Sequence, residues 1–196
     1  MLVHMPGLNS GAAYSPDGRI LALTLSYDRT VELYLKTAEG RSLRRLTNSI
    51  AVEASPCWSP RGDKICFVSD QNRAPQLYVI GVGGGSPVRL NTIGTEAVSP
   101  AWSAEDKIAY SAKMGGNYTI AVLDMKGNTP SRSVINAAGN WESPSWAPDG
   151  RHIVCMHTAG GRSSLYIVDS WTGKLRPLIG GGRFNYSLPS WSGIFR

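Results

Sequence analysis

The stretch Trp58-Ser-Pro-Arg-Gly-Asp-Lys-Ile-Cys-Phe-Val68 opens a unit that recurs along the chain. An aromatic residue stands at its head, then a turn with proline and glycine, then an apolar run, which is typical of two β-strands joined by a tight hairpin. Successive heads are separated by 44, 44, 44 and 45 residues. They are Tyr14, Trp58, Trp102, Trp146 and Trp191. A period of this length predicts a tandem array of β-units and therefore an all-β protein.

Each copy divides into four predicted strands, here called A to D. In the second copy, strand A carries Trp58, strand B runs through Ile65-Cys-Phe-Val68 and strand C through Gln76-Leu-Tyr-Val79. A glycine turn at 83–85 then leads to strand D at Val88-Arg-Leu90. Four strands in such a period are typical of a β-propeller blade. Because a lone blade cannot cover both of its faces, we expect neighbouring blades to stack and the tryptophans of this series to fill the space between them.

The composition is that of a folded domain. The chain has 196 residues, of which 42% are hydrophobic and 17% are charged, enough for a sizeable core. Its longest apolar runs, such as Ile20–Leu23, are too short to span a bilayer, and its first residues lack the pattern of a signal peptide. The formal net charge is +6, but lysine and arginine are scattered among the turns, which argues against a nucleic-acid partner.

The three cysteines, Cys57, Cys66 and Cys155, show no metal-binding spacing. Cys57 and Cys66 are equidistant from the turn centred between Arg61 and Gly62, so we expect them to be cross-strand neighbours. The equivalent pairs in other copies are Ala13 with Ala22 and Ala101 with Ala109. The position therefore favours small side chains, and both packing and a disulfide remain open as its reason.

Several motifs resemble one known family. The aromatic-Ser-Pro-x-Gly motif ahead of an apolar strand, at this period, resembles the TolB-type propeller repeat more than the WD-repeat type. Phe67-Val-Ser-Asp70 before Pro75-Gln-Leu-Tyr-Val79 is similar to that family, as are Leu43-Arg-Arg-Leu-Thr47 and Leu188-Pro-Ser-Trp-Ser192. The resemblance implies a TolB-type β-propeller, which in that family has six blades and a last strand that joins strands B to D of the first.

The repeat contains five A strands but only four sets of strands B to D. We therefore expect 1–196 to form one partial propeller domain, an incomplete six-bladed ring that represents the C-terminal part of a longer protein. The expected blades are 10–50, 54–94, 98–138 and 142–182, followed by an extra C-terminal closing strand, an A strand without its own blade, at 187–192. Residues 1–5 stand where strand D of a preceding blade is expected. A four-bladed ring closed on itself is the alternative.

The resemblance also implies a function. It indicates a non-catalytic periplasmic component of the Tol-Pal system that binds the peptidoglycan-associated lipoprotein and other Tol proteins, supporting outer-membrane integrity, cell division and protein transport. Neither nucleic acid nor membrane insertion is expected. Loops between each strand D and the next strand A would form the contact surface, since loops on a rigid scaffold accumulate binding residues. The expected contact residues are Asn9, Glu53, Glu96, Asn140, Trp141, Glu142, Asn185 and Tyr186.

Signals for chemistry are weak. There is no Gly-x-Ser-x-Gly elbow, so the alternative function is a substrate-gating propeller of a prolyl-oligopeptidase-like serine peptidase whose hydrolase domain lies outside this chain. The Pro-x-Trp-Ser motif near the end argues against that alternative. The segment 81–85 resembles a phosphate loop but stands where the other copies have a strand C to strand D hairpin turn.

Two groups of possible metal ligands have ordinary interpretations. His152 and His157 are five residues apart on one predicted strand and therefore point to opposite faces, and His4 stands alone. The rim glutamates, three of the expected contact residues, would converge on one channel mouth. There they would hold a cation such as calcium, meet a basic partner or simply form a solvated rim. No cofactor is otherwise expected.

Overall fold

A computed structural model describes residues 7, 9–26, 30–40, 42–127 and 129–191, with the backbone alone at Asn9. All secondary-structure elements assigned within those ranges are β-strands, which confirms the all-β prediction. The predicted strand at 1–5, together with His4, lies outside these ranges. The chain forms two compact units, Met1–Leu90 and Asn91–Arg196.

The first unit contains two blades, each a four-stranded antiparallel sheet in simple up-and-down order. The first blade consists of β1 (Asn9–Tyr14), β2 (Ile20–Leu25), β3 (Glu32–Thr37) and β4 (Leu43–Arg45). The second consists of β5 (Glu53–Trp58), β6 (Lys64–Ser69), β7 (Gln76–Gly81) and β8 (Gly84–Arg89).

The second unit repeats this arrangement. Its first blade consists of β9 (Ala97–Trp102), β10 (Lys107–Met114), β11 (Asn117–Asp124) and β12 (Arg132–Ser133). Its second consists of β13 (Asn140–Trp146), β14 (His152–Ala159), β15 (Arg162–Asp169) and β16 (Leu175–Ile179). The prediction of four strands in each of these copies, with strand A carrying the aromatic residue, is thus confirmed, and the aromatic is the last residue of the strand.

Strand D departs most from the prediction. In the second blade β8 already begins at Gly84, so the hairpin turn is formed by Val82 and Gly83 rather than by 83–85. Strand D has six residues there and only two in β12. Since strand D is the outer edge of each sheet, its length is not constrained by packing on both sides.

Every strand A contains a β-bulge at the same place. The residue three positions before the aromatic has a left-handed backbone, with φ of 50° at Ser55, 52° at Ser99 and 54° at Ser143. Gly11 takes this position in the first blade, with φ of 59°. Such angles are uncommon for residues with a side chain and are tolerated where a bulge is built into the strand.

The segment after β16 has the backbone geometry of strand A although no strand is assigned to it. Leu188, three residues before the fifth aromatic, has φ of 50°. The Tyr186 N–H donates to the Ser163 carbonyl at 3.3 Å, as the Glu53 N–H donates to the Val31 carbonyl at 2.8 Å at the equivalent place. The Trp191 N–H also donates to the Ser145 hydroxyl at 3.2 Å, so the described part of 187–192 lies against the preceding blade as a strand A does.

Two of the aromatic heads fill the space between blades, as predicted. The Trp58 indole N–H donates to the Ala13 carbonyl at 2.9 Å, and the Trp146 indole N–H to the Ala101 carbonyl at 3.0 Å. Each indole lies within an apolar cluster shared by the two blades of its unit. A tryptophan thus packs against the blade that precedes its own.

Tyr14, the aromatic head of the first copy, is 50% exposed. Its blade is the first of the first unit, so no preceding blade of that unit covers it. Trp191 is 38% exposed, and Trp102, half-buried, donates its indole N–H to Asp106 in its own turn at 2.8 Å.

The predicted cysteine register is confirmed, because Cys57 and Cys66 face each other across β5 and β6. The pairs Ala13 with Ala22 and Ala101 with Ala109 occupy the same register. All three thiols are free in the structure. Burial raises the pKa of the Cys66 thiol well above its usual value, so the thiol form is favoured.

Candidate protein-binding rim

The predicted contact residues lie where each loop after strand D enters the next strand A. We call this edge the rim and describe it one unit at a time. In the first unit it is formed by 7–11, of which residue 8 is outside the described ranges, and by the first rim loop, residues 49–55. In the second unit it is formed by 95–99, 139–143 and 184–188.

Carboxylates hold the first rim loop in place. The Ser49 N–H donates to Glu32 at 2.7 Å, and the Ser49 hydroxyl to Glu53 at 2.9 Å. The Val52 N–H donates to Asp70 at 2.8 Å. Backbone donors of a loop thus find charged acceptors, which form stronger hydrogen bonds than neutral ones. The loop is therefore anchored to both blades of its unit.

The Glu32 carboxylate is fully buried and fully partnered. Arg45 reaches one of its oxygens at 2.8 Å, and the Thr47 hydroxyl reaches the other at 2.5 Å. The same guanidinium also donates to the Thr30 hydroxyl at 3.0 Å. A buried charge held by an ion pair and hydrogen bonds fixes the geometry around it.

The tip of the first rim loop is apolar, which the sequence reasoning missed. Ile50 is fully exposed and Val52 is 48% exposed, whereas Ala51 between them is buried. The apolar run Ile-Ala-Val inside a polar loop is the sequence feature that could have indicated it. An ordered loop that presents apolar side chains to solvent is typical of a protein-contact surface.

Glu53, predicted to contact a partner, has its side chain inside the protein at 2% exposure. One carboxylate oxygen accepts from Ser49 and, at 3.3 Å, from the Ser69 hydroxyl. The other oxygen is buried without a hydrogen-bond partner. Burial raises the pKa of Glu53 to about 7; the hydroxyl bonds from Ser49 and Ser69 act in the opposite direction, and the charges of Glu32 and Asp70 add to the rise.

Glu96, by contrast, is a paired carboxylate on the second unit's rim. It accepts from the Lys113 ammonium at 2.6 Å and from the Tyr118 hydroxyl at 2.5 Å. The bond to Lys113 lowers the pKa of Glu96, and the bond to Glu96 raises the pKa of Tyr118 to about 12. Glu142 is half-buried and close enough to raise the pKa of Tyr118 further. The two glutamates therefore share one end of this unit.

Asn140 and Asn185 each accept a hydrogen bond from the backbone of a strand C, at equivalent places in successive copies. The Asn140 side-chain oxygen accepts from the Tyr118 N–H at 3.0 Å, and that of Asn185 accepts from the Ser163 N–H at 3.0 Å. Both N–H groups lie at the start of a strand C. Because a free strand edge leaves donors unpaired, these amides complete the edge where strand D does not reach.

Trp141 supports the rim from beneath. It is 2% exposed and stacks on His157 with ring centroids 4.0 Å apart, while Tyr166 meets it edge-on at 5.2 Å. Its indole N–H is shared between the carbonyls of Ala137 and Ala138, each at 3.2 Å. The ring therefore fixes the loop that enters β13.

The last two predicted contact residues are less defined. Tyr186 is half-buried and adjoins the exposed Asn185, while Asn9 is described only as backbone at the start of β1. The three rim glutamates are divided between the units, Glu53 in the first and Glu96 and Glu142 in the second. Among the described residues, no group of three or more His, Cys, Asp or Glu is placed to hold a metal ion.

The described histidines have structural partners. His152 and His157 both lie on β14, as predicted. His152 Nδ1 lies 2.6 Å from Asp149, and His157 Nε2 lies 3.1 Å from the Ala138 carbonyl. Neither contact is to a hydroxyl or thiol that it would activate. Nor does any helix within the described ranges have the length and apolarity to cross a bilayer.

A polar pocket of about 780 Å³ adjoins the second unit's rim. It lies beside the short β12 and is lined by Tyr118, Asn136 and Gly139 among others. At its border Trp171 is 62% exposed, with the Arg151 guanidinium 4.5 Å from its ring centre. The rim of this unit is thus continuous with a concave surface.

The comparison with known families decides the classification. The TolB beta propeller domain matches residues 1–195. The chain belongs to the TolB β-propeller family. Among curated relatives, the Tol-Pal system protein TolB of Chromobacterium violaceum is 35% identical over 70 residues, which are 36% of this chain and 16% of that protein.

Solved structures agree with the TolB fold. The crystal structure of TolB from Acinetobacter baumannii matches with a TM-score of 0.81 and 27% identity, covering 97% of this chain and 47% of the other. This chain therefore spans about half the length of that TolB. A Mycobacterium tuberculosis puromycin-hydrolyzing peptidase matches with a TM-score of 0.74 and 19% identity, covering 91% of this chain and 30% of the peptidase. At that identity the likeness to the peptidase concerns the fold alone.

Proposed function

We propose that this TolB-family chain binds other proteins through its rim, as a non-catalytic periplasmic component of the Tol-Pal system. The partner we propose is the peptidoglycan-associated lipoprotein. Relatives named as Tol-Pal system proteins support the system, and the first rim loop supports the mode of action. The match to TolB over nearly the whole chain supports a binding module rather than an enzyme.

The exposed tip of the first rim loop carries the proposal. Ile50 loses no surface to its own protein, yet the residues on either side are anchored to Glu32, Glu53 and Asp70. A partner that covers Ile50 buries an apolar side chain, which contributes roughly 1.5–3 kcal/mol to the binding free energy. Because the loop is already ordered, binding does not have to offset the entropy of ordering it. Such pre-ordered anchors contribute most of the free energy of many interfaces.

Polar rim residues of the second unit would add selectivity. Glu142 and Asn185 are at least partly open to solvent, while Glu96 is partly neutralised by Lys113. Charges at the edge of an interface act mainly on the association rate and on the choice of partner. The buried Glu53 and Trp141 would act by shaping the loops rather than by direct contact.

The test is a binding titration with the purified soluble domain of the peptidoglycan-associated lipoprotein. Ile50→Ser should weaken binding at least tenfold because it removes the apolar anchor. Val88→Ser is the matched control, since Val88 is 64% exposed in the same unit but lies on the outer strand β8. It should leave the affinity unchanged.

Other outcomes would change the proposal. Equal affinity of wild type and Ile50→Ser would remove the first rim loop from the interface. Absence of binding to the wild-type chain would contradict this partner and favour the alternative, a propeller that gates a peptidase domain. In that alternative the chain would bind peptides rather than the lipoprotein.

A further inference from the structure

Glu53 occupies a position that three other copies fill with apolar or aromatic groups, while the first copy has the uncharged Asn9 there. Five residues before the aromatic head stand Ala97 and Trp141, both almost completely buried, and Tyr186, half-buried. Glu53 is buried to the same extent as Trp141. A carboxyl group at such a place is not required by the blade architecture, and burying its charge is costly unless it is fully paired.

The pairing of Glu53 is incomplete and contains no cation. Both donors, the hydroxyls of Ser49 and Ser69, reach the same oxygen, and the other oxygen has no partner. Only one further buried side-chain atom in the described ranges lacks a partner, the Thr24 hydroxyl. An ionised carboxylate at this place would therefore carry an unsatisfied oxygen inside the protein, whereas a protonated one would be neutral.

The surrounding charges also favour the neutral form. Glu32 on β3 is linked to Glu53 through Ser49, and Asp70 follows β6. Arg45 on β4 is engaged by Glu32. Among described residues, β1 and β2 add no ionisable side chain apart from Tyr14 at the far end of β1.

The remaining ionisable groups near the strand lie away from Glu53. Cys57 is four positions along β5, and Cys66 and Lys64 lie toward the opposite end of β6. On β7, beyond β6, the residue at the near end is Gln76. The charged groups that act most on Glu53 are Glu32 and Asp70, and both disfavour the ionised carboxylate.

We propose that Glu53 is a proton-dependent latch on the first rim loop, holding the loop closed when protonated and releasing it when ionised. Ser49 is the mechanical link, because its hydroxyl contacts Glu53 and its N–H contacts Glu32. It also accepts from the Ala51 N–H at 3.1 Å. When the carboxylate turns toward water, the Ser49 hydroxyl loses this link, and only the N–H bonds of Ser49 to Glu32 and of Val52 to Asp70 still hold the loop. The Ile50 tip then opens more often. The effect on a partner rests on the proposed function, but the latch itself does not.

Hydrogen exchange measured by mass spectrometry on the whole chain tests the latch without any partner. Exchange of the first rim loop, corrected for its intrinsic pH dependence, is compared with that of 95–99 in the second unit. With pKa values of about 7 in the closed loop and 4.5 in the open one, the opening constant should rise roughly fortyfold from pH 5 to pH 7 and level off above about pH 8. The segment 95–99, where Glu96 is paired, should show no such rise.

Two variants distinguish loop opening controlled by Glu53 from a general loss of structure with pH. Glu53→Gln keeps the shape but cannot ionise, so its loop should stay protected at every pH. Ser49→Ala removes the link but keeps the carboxyl, so its loop should be as open at pH 5 as the wild-type loop is at pH 8, with little change at pH 8. Equal pH slopes in wild type and Glu53→Gln would overturn the latch, and so would a Ser49→Ala loop that stays protected at pH 5.

Binding is measured separately, with the soluble lipoprotein domain at pH 5.5 and pH 8. Tighter binding by wild type at pH 5.5, with no pH effect in Glu53→Gln, is expected if the latch controls the rim. Loop opening that follows pH while no binding occurs would preserve the latch and overturn the proposed partner. Binding without any pH-dependent loop opening would preserve the partner and overturn the latch.

Discussion

Replacing Trp146 by alanine tests how the blades hold together. The side chain is 9% exposed and packs against Ala109, Ile120 and Ile153, and its indole N–H donates to the Ala101 carbonyl. Burial of a tryptophan removes about 150–250 Å² from water, worth roughly 4–6 kcal/mol by area. Because the cavity relaxes in part, we expect Trp146→Ala to lower the free energy of unfolding by about 3–5 kcal/mol.

The measurement is urea unfolding followed by circular dichroism. Trp171→Ala is the matched control, because Trp171 lies in the same unit, is 62% exposed and contacts mainly Arg151. It should cost less than about 1 kcal/mol. Trp146→Phe keeps much of the apolar area but loses the donor to Ala101 and should fall between the two. If Trp146→Ala were no more destabilising than Trp171→Ala, the tryptophans would not be what joins the blades.

Two further changes probe the rim. Gly139→Ala should destabilise the protein by about 1–3 kcal/mol, since Gly139 has φ of 99° and an added Cβ would lie 2.3 Å from His157. Gly182→Ala, with open space and no positive φ, is its control and should be near neutral in a thermal melt. For Glu53, the folded-state pKa of about 7 exceeds 4.5, so its stabilisation is complete below pH 4.5 and is lost as pH rises through 7. Wild type should therefore lose about 3 kcal/mol relative to Glu53→Gln between pH 4.5 and pH 8 in urea titrations, and parallel profiles would contradict this.

Local hairpin geometry was the most predictable part of the fold. The tight turn after each aromatic fixes which residues of strands A and B face each other, so the pairing of Cys57 with Cys66 followed from counting. Strand D was less predictable. It is an edge strand whose length depends on what covers it, as the two residues of β12 illustrate.

The candidate rim was predictable in position but not in the state of its side chains. The sequence around Glu53 is typical of a surface loop, yet the register of strand A places its side chain inside the protein. The side chain of Trp141 is placed inside in the same way. Asn140 reads as a contact residue, but it caps an edge N–H 22 residues earlier in the chain. Such assignments depend on tertiary neighbours that a single copy of the repeat does not show. The exposure of Ile50 is equally a property of the assembled loop.

The left-handed residue three places before each aromatic has a consequence for loop exchange. The segments from Ser143 to Trp146 and from Ser55 to Trp58 share the left-handed residue, the bulge and the pairing with strand B, although the loops before them differ in sequence. We therefore expect insertions or deletions before the left-handed residue to leave the position of the interblade tryptophan unchanged. Foreign loops that end before the buried residue two places ahead of this serine, Glu53 or Trp141, should leave the blade junction intact, which makes the rim a suitable acceptor for new binding specificities.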